Sequence, residues 1–522
     1  MSAGANIPEY STDVLVMGGG GSGLAAAITA RELGREAILL EKNPDIGGST
    51  VWSIGSFSAT CTPHQLRLGI KDNPEDHFED IGKFNAKVVN GVWKGYDNTD
   101  NLELRRLLAY HSGETFRWVQ GMGVRFFGPT LELPHRRPRM HNVLPNSKAY
   151  GYWCGRRARE VGVDIRCERR VTRILMDGKR AVGLECTLPD GSQERYLARG
   201  GIVMACGDYA GGEEMKRRYA QPELVTMKTS CNPANEGDGH LMAMQQFGAK
   251  VLNAHMVAAR VRFVAPRVKK LMHRLPPWKP LTVFMELALH YAPDWLLRPF
   301  VMSFLTTVLE AQPSLFSHGA ILVNKRGERF CNELDHPELR LVDQPDHEAY
   351  IVFDERLAKK YSAFPHFVST APGVAYAYIP DYQRSRKDIF HKADSVEGLA
   401  RRIGVDATVL AATLKQRNGE LAASGARDCF TVEQGPFYAM GPVSCFVKGT
   451  DAGLAVNGRL EILDGEGQPV QGLYGAGLLA QGGMLLEGHG HHIGWAFTSG
   501  RLAGRAAAYL ANTADADEKK ER

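Results

Sequence analysis

Asp13-Val14-Leu15-Val16-Met17-Gly18-Gly19-Gly20-Gly21-Ser22-Gly23 decides the reading of this chain. The apolar run after Asp13 predicts a buried strand, and Leu24 to Leu33 predicts a helix. Between them, Gly18, Gly20 and Gly23 fall in G-x-G-x-x-G spacing. The first permits a tight turn, the second lets backbone approach a pyrophosphate, and the third lets the helix pack closely on the sheet. The helix N-terminus then faces the phosphates, with Gly21 and Ser22 in the same turn. A second strand, Ala37 to Leu40, ends in Glu41, eighteen residues past Gly23, with Lys42 beside it. A carboxylate there accepts a hydrogen bond from a ribose hydroxyl. A glycine-rich surface turn would show the spacing alone. Strand, turn, helix, strand and acid in order predict a dinucleotide site in an α/β domain.

At 522 residues the chain is long enough for two or more domains. A hydrophobic content of 44% and a charged content of 23% describe an ordinary globular protein. The net charge of +5 is too slight to suggest nucleic acid. Nine cysteines are scattered without a C-x-x-C, so no zinc, iron–sulfur or c-haem spacing exists. An odd, dispersed set fits reduced thiols in a cytoplasm. Met1 to Tyr10 lacks a basic-then-apolar leader pattern and a twin arginine, and the charged tail at 512–522 is expected to fray.

After Glu41 comes Asp45-Ile46-Gly47-Gly48-Ser49-Thr50-Val51-Trp52-Ser53. With this segment the chain resembles the flavoprotein family of fumarate reductase, succinate dehydrogenase and 3-ketosteroid dehydrogenase. The resemblance implies FAD, held by backbone and hydroxyl groups of Gly48, Ser49 and Thr50. No histidine lies between Gly47 and Ala59, so the FAD is expected to be non-covalent. It further implies that Val171 lies against the adenine. Ala205, Gly207 and Asp238 would approach the cofactor at the ends of Gly201 to Asp208 and of Asn235 to Gly239. Gly477 closes the motif Gly472-Leu473-Tyr474-Gly475-Ala476-Gly477, and Gly490, His492 and Ile493 open a helix expected to run through Leu502. In the family that helix points its positive end at flavin N1 and C2=O.

The pattern from His318 to Glu333, G-x-(apolar)-V-N-x-x-G-x-R-F-x-N-E, resembles the family's hairpin in its substrate domain. Gly435 to Ala439 resembles its return into the FAD domain. The expected fold is therefore α/β, a discontinuous Rossmann-like FAD-binding domain with an inserted α+β capping domain. Its parts are 10–255, a cap at 256–432 carrying a basic-apolar insert at 260–312, 433–511, and a flexible tail at 512–522. Helices are also expected from Asn73 to Asn90, with Asn73 as cap and Pro74 first, from Leu102 to Gln120, and in the cap from Leu399 to Leu421. His135-Arg136-Arg137-Pro138-Arg139-Met140-His141 reads as a solvated basic loop, with a grip on an anionic substrate or partner as the alternative.

The insert region carries Lys250, Arg260, Arg262, Arg267, Lys269, Lys270, Arg274 and Lys279, with no acid between Gly239 and Met285. An apolar stretch from Leu281 to Leu309, interrupted by Pro293 and Pro299, follows and is too broken to span a bilayer. Basic residues beside interrupted apolar helices fit the headgroup region of an anionic membrane, which would make a cytoplasmic protein peripheral at the inner face. An apolar lid over the substrate, or buried helices with a basic outer face, fit the same residues. His489, His491 and His492 are poorly spaced for ligation, and no metal is expected.

Members of the resembled family interconvert C–C and C=C bonds beside an electron-withdrawing group, with hydride moving to or from flavin N5 and a protein acid/base moving the proton. Fumarate reductases carry an arginine four residues after the hairpin glutamate, and ketosteroid dehydrogenases a tyrosine. Here that position is Pro337. His336 is the leading acid/base candidate, followed by Arg340 and Tyr438, each against the plain reading of a residue without a role. Glu487 stands where fumarate reductases clamp a carboxylate with arginine, and Lys448-Gly449-Thr450 where they carry histidines. These departures argue against a small dicarboxylate, which needs fixed cationic donors. They favour a hydrophobic cyclic ketone or enone, steroid-like in size. Without a haem or iron–sulfur motif, electrons would pass to a separate acceptor, a quinone or redox protein. Fumarate-type reduction, and a role as flavoprotein subunit of a membrane electron-transfer complex, are the alternatives.

Overall fold

The predicted first strand is Val14–Met17, with every side chain buried. The computed structural model describes residues 7–91, 93–266, 271–307, 310–371, 375–424 and 428–521. In it, this strand lies between Ile202–Met204 and Ala37–Leu40, parallel to both. Asp164–Arg166 extends the parallel run on one side, and Pro469–Gly475 on the other. A strand from the far end of the chain is thus hydrogen-bonded into the N-terminal sheet, through Val203 opposite Tyr474. Fully buried β-branched and aliphatic side chains are what a parallel sheet covered on both faces requires. The α/β, discontinuous organisation follows directly.

The first helix, Gly21–Glu32, packs along the last helix, His491–Glu521. A Cβ added at Gly500 would lie 2.2 Å from Ser22 O, and one at Gly504 would lie 2.3 Å from Ala26 O. The two backbones touch, so the N-terminal motif and the C-terminal helix are set against each other without intervening side chains. That helix continues past the expected end at Leu502. The tail expected to fray from 512 is helical to Glu521.

The cap is built on an antiparallel sheet in the order Val257–Phe263, Phe437–Thr450, Glu348–Asp354, Ile321–Asn324, with Phe390–Ala393 beside the long strand. This corrects the boundary expected at 433. The segment read as a return into the FAD domain is the central cap strand, and the chain leaves the cap only after Thr450. The cap core also takes in Tyr209, Met215, Leu224 and Met227, well before 256. Only half of the expected hairpin is strand. Asn324 Oδ1 accepts from the backbone N–H of Arg326 and Glu328, at 2.9 and 3.0 Å, and turns the chain. The carboxylate of Glu333 then accepts from Leu322 N at 3.1 Å, taking the place of a pairing strand.

The loop from His135 to His141 is solvated only in part, at Arg136 and Arg137. His135, Arg139 and His141 are buried. Arg139 donates to both oxygens of Asp72 at 2.8 and 2.6 Å and to Asp80 at 2.6 Å, all three side chains being inaccessible. Asp80 belongs to the helix Pro74–Val89, capped as expected by Asn73. Two acids awaiting one guanidinium carry it inside, because a paired, fully hydrogen-bonded charge tolerates burial and a lone one does not.

The insert behaves oppositely. Its helices are Lys279–Tyr291 and Asp294–Leu305. Trp278, Phe284, Tyr291, Trp295 and Phe300 are between 56% and 77% exposed. Arg267, Lys269 and Lys270 lie outside the described residues. Among the described residues, no helix is long and apolar enough to cross a membrane.

Candidate functional site

The helix Gly21–Glu32 starts from Gly20 in extended conformation, with no side-chain cap and no acid in its first turn. Its leading amides therefore present an anion site. A Cβ at Gly23 would lie 1.8 Å from Gly18 O, so only glycine permits this turn. A Cβ on Gly20 would meet nothing nearer than Gly48 Cα at 4.0 Å, which leaves a cradle open for a phosphate. Thr50 Oγ1 accepts from Gly21 N at 3.1 Å and ties the Gly48–Trp52 turn to this cradle. Glu41 accepts from Gly19 N at 2.6 Å with one oxygen, and from Asn43 N and Nδ2 at 2.9 and 2.6 Å with the other. Three donors fix this carboxylate and leave acceptor capacity for ribose hydroxyls. Lys42 Nζ is held by Glu236 and Asp238 at 3.0 and 2.7 Å, and Arg170 joins the same two acids at 3.0 and 2.6 Å. Lys42 and Asp238, both expected at the cofactor, are thus bound to each other, with Val171 buried next to Arg170. Ala205 N donates to Met17 O at 2.8 Å. These groups cluster beyond the carboxyl ends of the parallel strands, where open α/β sheets bind ligands.

A second cluster lies on the seam between the sheet and the cap. Gly207 has φ +78°, and a Cβ there would strike Asn235 Nδ2 at 2.7 Å. Asn235 donates to Ser49 Oγ at 3.0 Å and to Asp208 at 2.8 Å. Thr450 N donates to the other oxygen of Asp208 at 3.1 Å. Asp451 next door accepts from Gln481 Nε2 at 3.1 Å and lies 3.4 Å from His492 Nε2. Burial raises the Asp208 carboxyl above its ordinary pKa, against the donors around it. At Asp451 burial acts the same way but is outweighed by His492, Gln481 and Lys448, so that carboxyl is held below its ordinary value. The two neighbouring carboxyls are therefore shifted in opposite directions by their surroundings.

The last helix opens on this seam. Gly490 has φ +88°, and its carbonyl accepts from Ser58 N at 3.2 Å. Glu132 receives His489 N at 2.9 Å and faces its Nδ1 at 2.5 Å. Gly477 is pinned by Ser499 Oγ at 2.8 Å and by Trp495 Nε1 at 3.0 Å, and Ile493 is buried. The predicted acid/base residues do not converge. His336 is exposed in the left-handed region with Nδ1 3.1 Å from Glu338, and Arg340 is exposed four residues on. Tyr438 is buried in the cap sheet, donating to Glu355 at 2.6 Å and stacked on Phe353. Sequence reasoning passed over Asp451 and Glu132. The position of Asp451 between Gly449 and Gly453, just past a strand, was the available signal for the first. Glu132 had none.

Residues 13–267 and 302–486 match the family described as FAD binding domain. A probable fumarate reductase, Ifc3, of Shewanella frigidimarina is 27% identical over 523 residues, covering 96% of this chain and 75% of that protein. The open conformation of a flavocytochrome c3 fumarate reductase superposes with a TM-score of 0.72 at 25% identity, over 97% of this chain and 79% of the other. The 3-ketosteroid-Δ4-(5α)-dehydrogenase of Rhodococcus jostii RHA1 shares the fold, with a TM-score of 0.58 at 22% identity over 97% and 99% of the two chains. With the uncapped helix, the open glycine cradle and the fixed Glu41 carboxylate, these matches establish that the chain belongs to the FAD binding domain family and is an FAD-dependent oxidoreductase.

Proposed function

We propose that this protein interconverts a C–C and a C=C bond next to an electron-withdrawing group on a hydrophobic cyclic ketone or enone. The observation carrying the reading is the charge of the seam. Asp208 and Asp451 occupy it, while Pro337 and Glu487 stand where the resembled fumarate reductases place arginines. A dicarboxylate would lack the fixed arginine donors it needs, whereas a neutral ketone requires none. FAD, bound non-covalently across the Gly18–Gly23 turn, Gly48–Thr50 and Gly490–Ile493, supplies the hydride acceptor or donor. The chain's own part is to orient the substrate under the cap and to move one proton. Asp208, whose carboxyl burial raises above its ordinary pKa, and His492, held beside Asp451, are groups at the seam able to do so, alongside His336 and Arg340 on the cap.

The test is spectral. Cyclic ketones added to the oxidised protein, or cyclic enones added to pre-reduced protein, should bleach or restore the flavin absorbance, respectively. Fumarate should do neither. A second reading, reduction of a small unsaturated carboxylate, is favoured by Lys448, whose exposed side chain lies next to the Asp451 cluster. Reoxidation by fumarate that disappears in Lys448→Ala would establish that reading and remove the first. For the electron partner, the exposed aromatic and aliphatic face of Lys279–Leu305 suits contact with a membrane surface carrying quinone, which would place the protein at the inner face of the membrane.

A further inference from the structure

Three imidazoles meet behind the opening of the last helix. His77 comes from the helix Pro74–Val89, His135 from the buried basic loop, and His491 is the first residue of the last helix. None is more than 1% exposed. Their ring centroids are 5.2–5.7 Å apart, and one nitrogen from each lies within 4.8 Å of the other two. Both nitrogens of His77, both of His135 and Nε2 of His491 have no hydrogen-bond partner in the protein. The remaining nitrogen, His491 Nδ1, bonds to the carbonyl of Glu487. That contact puts the proton on Nδ1 and the lone pair on Nε2, which is how a ligating histidine is oriented by its outer partner.

We propose that His77, His135 and His491 bind one divalent transition-metal ion of the zinc class. Three imidazoles select zinc, cobalt, nickel or copper over the oxygen-seeking magnesium and calcium. Zinc–nitrogen bonds of about 2.0–2.1 Å in a tetrahedron set the nitrogens about 3.3 Å apart, so the three, now within 4.8 Å of one another, would draw closer around an ion. The fourth position takes a water molecule. Burial lowers the pKa of all three rings, to about 4 at His491, so each offers a neutral lone pair. Phe84 closes one side, with its ring 4.8 Å from His135 and 5.7 Å from His491. The charged groups nearby are engaged with one another. Arg139 is paired with Asp72 and Asp80, Asp80 also holds Lys83 and Arg136, and Glu132 pairs with His489. The ion would join residues far apart in sequence and fix the start of the last helix, whatever the substrate. The expectation of no metal rested on His489, His491 and His492, of which His491 alone enters the cluster.

Metal content should be measured on FAD-loaded protein purified without chelator and without a histidine tag. A stoichiometric zinc-class ion is expected. Chelator-stripped protein should take up Co2+ with the visible bands of a tetrahedral nitrogen site. His77→Gln and His135→Gln should each lose both signals while keeping the flavin absorbance. Protein that contains no such metal and takes up no Co2+ overturns the proposal, as does equal metal in the variants. Should the variants not fold, X-ray absorption on the unaltered protein decides. Scattering from three imidazole rings supports the site, and a sulfur or purely oxygen shell overturns it.

Discussion

Two basic stretches of this chain have opposite fates. The loop at 135–141 sinks His135, Arg139 and His141 into the FAD domain, whereas the insert helices at 279–305 carry large apolar side chains into solvent. Charge density separates them poorly, since both read as basic and surface-bound. What differs is the set of partners. Arg139 meets two buried carboxylates, while Trp278, Phe284, Tyr291, Trp295 and Phe300 find no core to enter. Burial is thus decided by the partners a side chain meets, not by its own polarity.

The largest effect that could break this contrast is at Arg139. Replacing it with methionine leaves Asp72 and Asp80 buried without their guanidinium and should cost about 3–5 kcal/mol of stability. Urea or thermal unfolding of the FAD-loaded protein measures it, and a loss near zero would mean the loop is solvated after all.

Next comes acid. Burial alone would raise the carboxyls of Asp72 and Asp80, but Arg139, with Gln65 at the first and Lys83 and Arg136 N at the second, outweighs it, and both lie below their ordinary values. Because the folded values are the lower ones, the stabilisation is complete above the unfolded carboxylate value of about 3.9 and fades as pH falls below it. Melting temperature followed from pH 6 downward should therefore begin to drop near pH 4 on this account, and less steeply in Arg139→Met.

A smaller loss is expected at Arg136, which pairs with Asp76, Glu79 and Asp80 from a one-third exposed position. Arg136→Ala should cost well under half of what Arg139→Met costs, since solvent replaces exposed partners.

The smallest change in stability belongs to the insert. Phe284→Ser and Trp295→Ser should each stay within about 0.5 kcal/mol, as surface substitutions do. The same pair should abolish salt-sensitive flotation with anionic vesicles. Retained flotation would remove the membrane contact, and a large stability loss would show that these side chains are packed.

The first strand, the glycine turn, Glu41 and the closing helix were legible because each depends on local spacing. A G-x-G-x-x-G turn has one way to satisfy its backbone, and the contact at 1.8 Å behind Gly23 shows why glycine is required there. The extent of the cap was less legible. Gly435 to Ala439 looks like a domain return, yet Phe437–Thr450 pairs with three other strands, and pairing is a property of partners distant in sequence.

The sequence by itself therefore determined the α/β class and the strand, glycine turn, helix and Glu41 that open it, since these rest on short-range geometry written in consecutive residues. Only the tertiary structure decided that Arg139 is inside, that Asp208, Asp451 and His492 share one seam, and that His77, His135 and His491 face one another. Those juxtapositions join segments as far apart in the chain as His77 and His491. Desolvation and pairing energies depend on who the neighbours are, which only the folded chain specifies.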